Sequence, residues 1–183
     1  ILQASAFQIA PLSADGSRTL TWAEFDRQSS AFAVELLGLG FKKGDFLATL
    51  LPLTVDHVLL EYACFKIGVI LAPLDLRLAV GEVIRVLEIL RPRGFVCLGL
   101  DGPIDFRGTW NAVLESCDWI EHRLAVSTEA IPETRPLAEI TARANRMAQG
   151  PLPSSALENT TAAISPDDGA LVIFTTGSTG SPK

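Results

Sequence analysis

The sequence predicts an α/β fold built on a mostly parallel sheet with helices on both faces, and three observations predict it. Segments with helical periodicity alternate with short apolar runs. Those runs are continuously apolar, not alternating, as strands buried on both faces must be. Helical segments end at Gly40, at Gly68 and at Arg91-Pro92, the stop chemistry that lets a chain turn back toward a sheet.

Composition bounds what such a fold does. The 183 residues carry 15 basic and 21 acidic side chains, a net charge of −6, with 48% hydrophobic and 20% charged residues. The chain is therefore not intrinsically disordered, and it is long enough to bury a domain-sized core. The acidic balance argues against nucleic acid or an anionic membrane as its main partner, yet leaves room for one local phosphate site.

No apolar run approaches the roughly 18 residues of a membrane span; Phe46 to Val55, among the longest uncharged stretches, contains Pro52 and Thr54. Ile1 to Ala10 lacks the basic and apolar regions of a signal peptide. Cys64, Cys97 and Cys117 are odd in number and widely spaced, with no CxxC pair for zinc. Such usage suits a reducing compartment, and the cytoplasm is the expectation. The chain opens on Ile1 and stops at Lys183 inside a run of glycines and hydroxyls, so residues 1–183 are expected to be an incomplete domain.

Each element has its own signal. Thr21 and Glu24 have capping-box spacing, and Phe25, Phe32, Leu36 and Leu39 follow near helical period up to Gly40. After the Gly44-Asp45 turn, Phe46 to Leu51 reads as a buried strand ended by Pro52. Val55 to Ile67 is helical with Gly68 as its stop, and Val69 to Ala72 is a short strand ended by Pro73. Val80 to Leu90 is a third helix, and Phe95 to Leu98 the next strand.

Asp101 to Ser116 carries turn residues and one short helix, and Leu124 to Val126 one more strand. Residues 131–168, rich in Pro, Thr, Ser and Ala, are expected to be mostly a long loop region, with a helix around Leu137 to Met147. A connection of that kind in a compact domain is functional or mobile. Ala170 to Phe174 is read as a buried strand.

That strand runs directly into Thr175-Thr176-Gly177-Ser178-Thr179-Gly180-Ser181-Pro182-Lys183. Gly177 and Gly180 permit positive φ and close backbone approach to a ligand. The hydroxyls of Thr175, Thr176, Ser178 and Thr179 can donate hydrogen bonds to phosphate oxygens, successive backbone N–H groups can form an anion nest, and Lys183 adds a mobile cationic charge. Pro182 keeps Ser181 out of helical geometry. A loop leaving the carboxyl end of a parallel strand stands where open α/β sheets bind ligands. It is not a Walker A loop, because its glycines are three apart and a proline precedes the lysine. Gly-x-x-Gly-x-Pro alone arises by chance in roughly one chain in twenty of this length, so the added lysine and hydroxyls carry the weight. A flexible Gly/Ser/Thr linker is the competing reading.

This run resembles the Ser/Thr/Gly-rich phosphate-loop signature of the AMP-forming adenylate-forming superfamily, which includes acyl-CoA synthetases, peptide-synthetase adenylation domains and luciferases. Leu20-Thr-Trp-Ala-Glu-Phe25, Gly40-Phe-Lys-Lys-Gly-Asp45, and Cys64-Phe-Lys-Ile-Gly68 through Ala72-Pro-Leu-Asp75 are similar to segments of that family in the same order. The likeness runs from about Leu20 to Lys183 and is thin between Asp101 and Asp168.

The resemblance implies the N-terminal portion of the large adenylate-forming domain, and a two-step reaction. A carboxylic acid and ATP give an acyl-adenylate and pyrophosphate, and a thiol then takes the acyl group. It implies Thr175, Thr176, Gly177, Ser178, Thr179, Gly180 and Lys183 as holders of the β- and γ-phosphates, with Mg²⁺ as companion. Coenzyme A or a carrier-protein thiol is the implied acceptor. The family writes Ser where this chain has Thr176, and more often Thr at 178, so the donor count survives. Its adenine-, ribose- and Mg²⁺-binding positions and its catalytic lysine fall beyond residue 183, and the 183 residues alone are expected to be inactive. Asp75 is followed by Leu76 to Glu82, which lacks the Pro-x-Tyr-Pro-x-x-Arg run of peptide synthetases and resembles the acyl-CoA synthetase side.

Other chemistry-bearing residues have plainer readings. His57 and His122 have no partners at ligand or triad spacing, and no metal site is expected. Asp56, Glu61 and Glu82 read as helix charges, Trp22, Trp110 and Trp119 as packing residues, and Cys64 as an inert core thiol. Asp167-Asp168 reads as turn chemistry. Two other assignments stay open: a degenerate, non-catalytic member used as an interaction or regulatory module, and an unrelated nucleotide-binding α/β domain with a convergent loop.

Overall fold

The structure, a computed structural model, describes residues 5–9, 18–100, 104–152 and 154–174. An antiparallel ribbon of β1 (Ser5–Ile9) and β2 (Arg18–Thr21), which the sequence reading did not anticipate, leads into α1 (Trp22–Gly38). There follow β3 (Phe46–Leu50), α2 (Val55–Ile67), β4 (Ile70–Pro73), α3 (Val80–Leu90) and β5 (Gly94–Leu98). Next come α4 (Arg107–Ser116), β6 (His122–Val126), β7 (Arg135–Pro136), α5 (Leu137–Met147) and α6 (Ser154–Ala162). Strands β3 to β7 form one five-stranded sheet in the order β4-β3-β5-β6-β7, with each neighbouring pair parallel. The α/β expectation holds.

Local chemistry sets the boundaries. The Thr21 hydroxyl accepts from Glu24 N at 3.2 Å while the Glu24 carboxylate accepts from Thr21 N at 2.8 Å, the reciprocal capping box that starts α1. The Thr54 hydroxyl caps α2 by accepting from His57 N at 3.2 Å. Gly68 ends α2 at φ 70, and a Cβ there would lie 2.9 Å from Lys43 Cγ, so backbone conformation and packing both select glycine. Arg91 ends α3 at φ 47 without being glycine. Its guanidinium carbon lies 3.8 Å from the Trp119 ring centroid, a cation–π contact that offsets the left-handed backbone.

The sheet is covered on both faces, which is why its strands are continuously apolar. Leu47, Leu71, Val96 and Leu124 point into one layer with Phe32, Leu36, Leu59, Ile67 and Ile140 of α1, α2 and α5. Their neighbours Ala48, Ala72, Phe95, Cys97 and Ala125 point into the other, with Val83 and Leu87 of α3 and Trp110 and Val113 of α4. At the amino edge of the sheet Arg93 pairs with Asp45 at 3.2 Å and with Glu121 at 2.8 Å, tying together the turns that enter β3, β5 and β6.

Three expectations are corrected. Residues 131–168 are not mostly loop: α5 occupies the expected Leu137–Met147, and α6 adds a helix at Ser154–Ala162. The second helix carries too few apolar residues to show a period. Its Ser/Thr content is accommodated because Thr160 Oγ1 donates to Ala156 O and Thr161 Oγ1 to Lys66 O, both at 2.8 Å. Residues 170–174 are not a buried strand. Leu171 makes a single parallel bridge to Leu71, and Leu171 and Ile173 are 41% and 65% exposed. The segment lies on the outer edge of β4, with one strand neighbour among the described residues, and of its side chains Val172 and Phe174 reach a packed layer. Finally, the strand expected at Val69 to Ala72 lies one residue further on, at Ile70–Pro73; it ends at Pro73 as expected, opposite Thr49, and Leu74 N supplies the next bond, to Thr49 O at 2.7 Å.

Candidate functional site

Because β3, β4, β5 and β6 are parallel, the turns after Leu50, Pro73, Leu98 and Val126 gather at one edge, the carboxyl edge where open α/β sheets bind ligands. The segment 170–174 reaches the same edge. Leu71 N donates to Ala170 O at 3.0 Å and Val172 N to Leu71 O at 2.9 Å, so it runs parallel to β4 and leaves the sheet beside Leu74. The candidate phosphate loop, Thr175, Thr176, Gly177, Ser178, Thr179, Gly180 and Lys183, begins one residue after Phe174 and lies outside the described residues.

Two polar arrangements stand at this edge. Behind the β3–α2 turn, His57 is buried between Thr49 and Pro52. Its Nδ1 lies 3.2 Å from Pro52 O and its Nε2 3.0 Å from Thr49 Oγ1. A carbonyl only accepts, so Nδ1 carries the proton and Nε2 accepts from the Thr49 hydroxyl. After β4, the Asp75 carboxylate accepts from Arg77 N at 2.9 Å, from Nε at 2.9 Å and from Nη2 at 2.5 Å. The guanidinium beside it holds the Asp75 carboxyl down to about 2. The sequence reading had named Asp75 only within the resemblance and gave Arg77 no role; their spacing of two was the available signal.

The backbone packs tightly here. Trp110 Nε1 donates to Leu98 O at 2.8 Å, and Gly99 N donates to Val126 O at 2.8 Å. A Cβ on Gly99 would meet Ser127 Cβ at 2.1 Å, so glycine is required where β5 and β6 leave the sheet. Leu53, Ile104 and Val126 give this edge an exposed apolar rim.

The other chemistry-bearing residues serve structure. Burial pushes the Cys64 and Cys97 thiols well above the ordinary range, and Cys117 up to about 11, so none is a ready nucleophile. Asp168 accepts from Ser165 N at 2.6 Å and pairs with Lys43 at 2.6 Å, as turn chemistry requires. Trp22, Phe25, Tyr62 and Phe65 form a chain of ring contacts between α1 and α2. Two open clefts lie along α1, but Arg27 in one is bonded to the carbonyls of Ala148 and Gly150, and Lys66 in the other to Asp26 and Ser30. Among the described residues no group of three His, Cys, Asp or Glu side chains is arranged to hold a metal ion, and no helix is long and apolar enough to cross a membrane.

The two histidines make a pH prediction. Burial lowers the pKa of both His57 and His122 below the ordinary 6.5. Below that value the unfolded chain binds protons that the folded chain refuses, so the contribution is complete above 6.5 and is lost as pH falls toward the depressed values. Urea melts at about pH 7.5 and about pH 5.5 should show lower stability in acid. The double variant His57→Gln/His122→Gln should flatten that slope; an unchanged slope rules the histidines out as its source.

Comparisons with known proteins agree with this architecture. The family model described as "AMP-binding enzyme" matches residues 3–183. The long-chain-fatty-acid–CoA ligase FadD13 of Mycobacterium tuberculosis is 25% identical over 90% of this chain and 28% of its own length. Phosphinothricin tripeptide synthetase PhsC of Streptomyces viridochromogenes is 30% identical over 91% of this chain and 13% of its own length. Among solved structures, apo MbtA of Mycobacterium smegmatis aligns with a TM-score of 0.72 at 25% identity, over 98% of this chain and 30% of that one. The chain thus spans less than a third of each of these relatives.

Proposed function

From the premise that this chain belongs to the AMP-binding enzyme family, we propose that its intact protein activates a carboxylic acid with ATP and passes the acyl group to a thiol. The family match across residues 3–183 carries this reading, and the convergent, unrelated domain is set aside by it. The edge geometry supports it, because the segment 170–174, which precedes the candidate loop in sequence, runs to the carboxyl edge of a parallel sheet.

In the proposed first step a carboxylate oxygen attacks the α-phosphorus of ATP, the bond to the β-phosphate oxygen breaks, and pyrophosphate leaves with that electron pair. Negative charge grows on the departing phosphates. Backbone N–H groups at Gly177 and Gly180, the hydroxyls of Thr175, Thr176, Ser178 and Thr179, and the Lys183 ammonium are proposed to hold those phosphates and offset that charge. Mg²⁺ would enter with the nucleotide and offset charge on its phosphates; among the described residues no group of three His, Cys, Asp or Glu side chains is arranged to hold it. In the second step the thiol sulfur attacks the acyl carbonyl and AMP leaves.

Coenzyme A is the proposed acceptor, on the acyl-CoA synthetase character of Leu76 to Glu82. A carrier-protein thiol is the alternative, favoured by the likeness to a peptide synthetase. Carboxylate-dependent ATP–pyrophosphate exchange by the intact protein, over a panel of aliphatic, aromatic and amino acids, tests the activation step. Exchange with at least one acid is expected. Its absence with every acid leaves the non-catalytic module as the better account.

A further inference from the structure

The Asp75–Arg77 pair is built more firmly than a surface ion pair needs to be. Arg77 donates to Asp75 through its backbone N and through two guanidinium nitrogens, and Leu78 N donates to Asp75 O at 3.1 Å. Backbone and side chain together close the turn at 75–78, although both side chains are open to solvent. Bidentate Arg–carboxylate geometry is the case in which an exposed pair holds its place. Among the described residues every hydrogen bond of the Arg77 guanidinium goes to Asp75, so there the pair serves this turn.

What the turn supports gives it a use. Leu74 belongs to the buried layer of α3 and α4, and Leu76 and Leu78, on either side of Arg77, pack against that layer. Val172 and Phe174 pack against the same layer from the outer edge of β4. By the parallel bridge of Leu71 to Leu171, Val172 to Phe174 run alongside Ala72 to Leu74. The segment 170–174 has one strand neighbour and two half-exposed or exposed apolar residues, so little else among the described residues fixes its direction.

We infer that Asp75 and Arg77 act together as a positioning clasp: by locking the turn at 75–78, they hold Leu74, Leu76 and Leu78 in the layer that Val172 and Phe174 also pack against, and so fix where the chain leaves the sheet toward the proposed nucleotide site. The inference rests on the proposed function for its consequence in catalysis, but its structural half stands alone. The pair touches no reacting atom in this account and acts through the backbone it holds.

The test has two readouts. In the intact protein, hydrogen exchange at the Val172 amide, which donates to Leu71 O, should speed about 10-fold in Asp75→Asn and in Arg77→Gln, with amides of β3 and β5 unchanged. Unchanged exchange at Val172 in both variants overturns the clasp, whatever the enzyme does. In the intact protein each variant should raise KM for ATP about fivefold, with kcat and the KM for the acid nearly unchanged, and the double variant should be no worse than either single one. If Arg77→Gln raises KM while Asp75→Asn does not, the guanidinium meets phosphate directly and the clasp is wrong. If Val172 responds but the intact protein activates no acid, the proposed function falls and the clasp remains as a structural device.

Discussion

Replacing Lys183 by alanine in the intact protein is expected to lower kcat/KM for ATP by about 10²- to 10³-fold, the loss typical of removing one preorganised charge stabiliser. The lysine is proposed to meet charge that grows on the β- and γ-phosphates as the α-phosphorus is attacked, so the effect should fall on kcat as well as on KM. Thr179→Ala should cost less, about 10-fold, because one of several hydroxyl donors to a charged acceptor is lost while the nest of backbone N–H groups remains. Steady-state kinetics of the two variants separate a gripping loop from a linker. A linker would leave both parameters within about twofold of the parent.

The second large effect concerns stability. Phe32 is wholly buried between α1 and the sheet, in the layer shared with Leu59, Ile67 and Ile140. Phe32→Ala should destabilise the 183-residue chain by about 3–5 kcal/mol through lost transfer free energy and the cavity left behind. That is a large part of the roughly 5–15 kcal/mol a domain has, so a marked fall in the denaturant midpoint is the expected observation. Ile173→Thr, in a segment the sequence presented as equally apolar, should shift stability by no more than about 0.5 kcal/mol, because the side chain is 65% exposed. Denaturant melts of the two variants measure both. Equal losses would mean that residues 170–174 are a core strand after all.

That contrast marks what was legible from the residues alone. Helix boundaries were readable wherever one local interaction decides them, as with Thr21 against Glu24 and Gly68 at φ 70. The strands of the covered sheet were readable because burial on both faces makes Leu47, Ala48, Phe95 and Val96 all apolar. Helix α6 was not, since Thr161 is settled by the Lys66 carbonyl of α2, a bond 95 positions away in sequence. Exposure at Ile173 was equally hidden: an apolar run states that cover is wanted, not that a neighbour supplies it. At the candidate site the loop residues were named from their own chemistry and from resemblance. The Asp75–Arg77 clasp needed the register of Leu71 with Leu171, which only the fold provides.

In the proposed reaction an acid oxygen attacks the α-phosphorus of a nucleotide held at this edge. Turnover of the intact protein with an acid labelled in its carboxylate with oxygen-18, in the presence of ATP and coenzyme A, reads that bond directly. AMP carrying one labelled oxygen is the predicted product, since the oxygen bridging carbon and phosphorus leaves with AMP when the thiol attacks. Label found in inorganic phosphate with ADP as the nucleotide product, or unlabelled AMP, would contradict it.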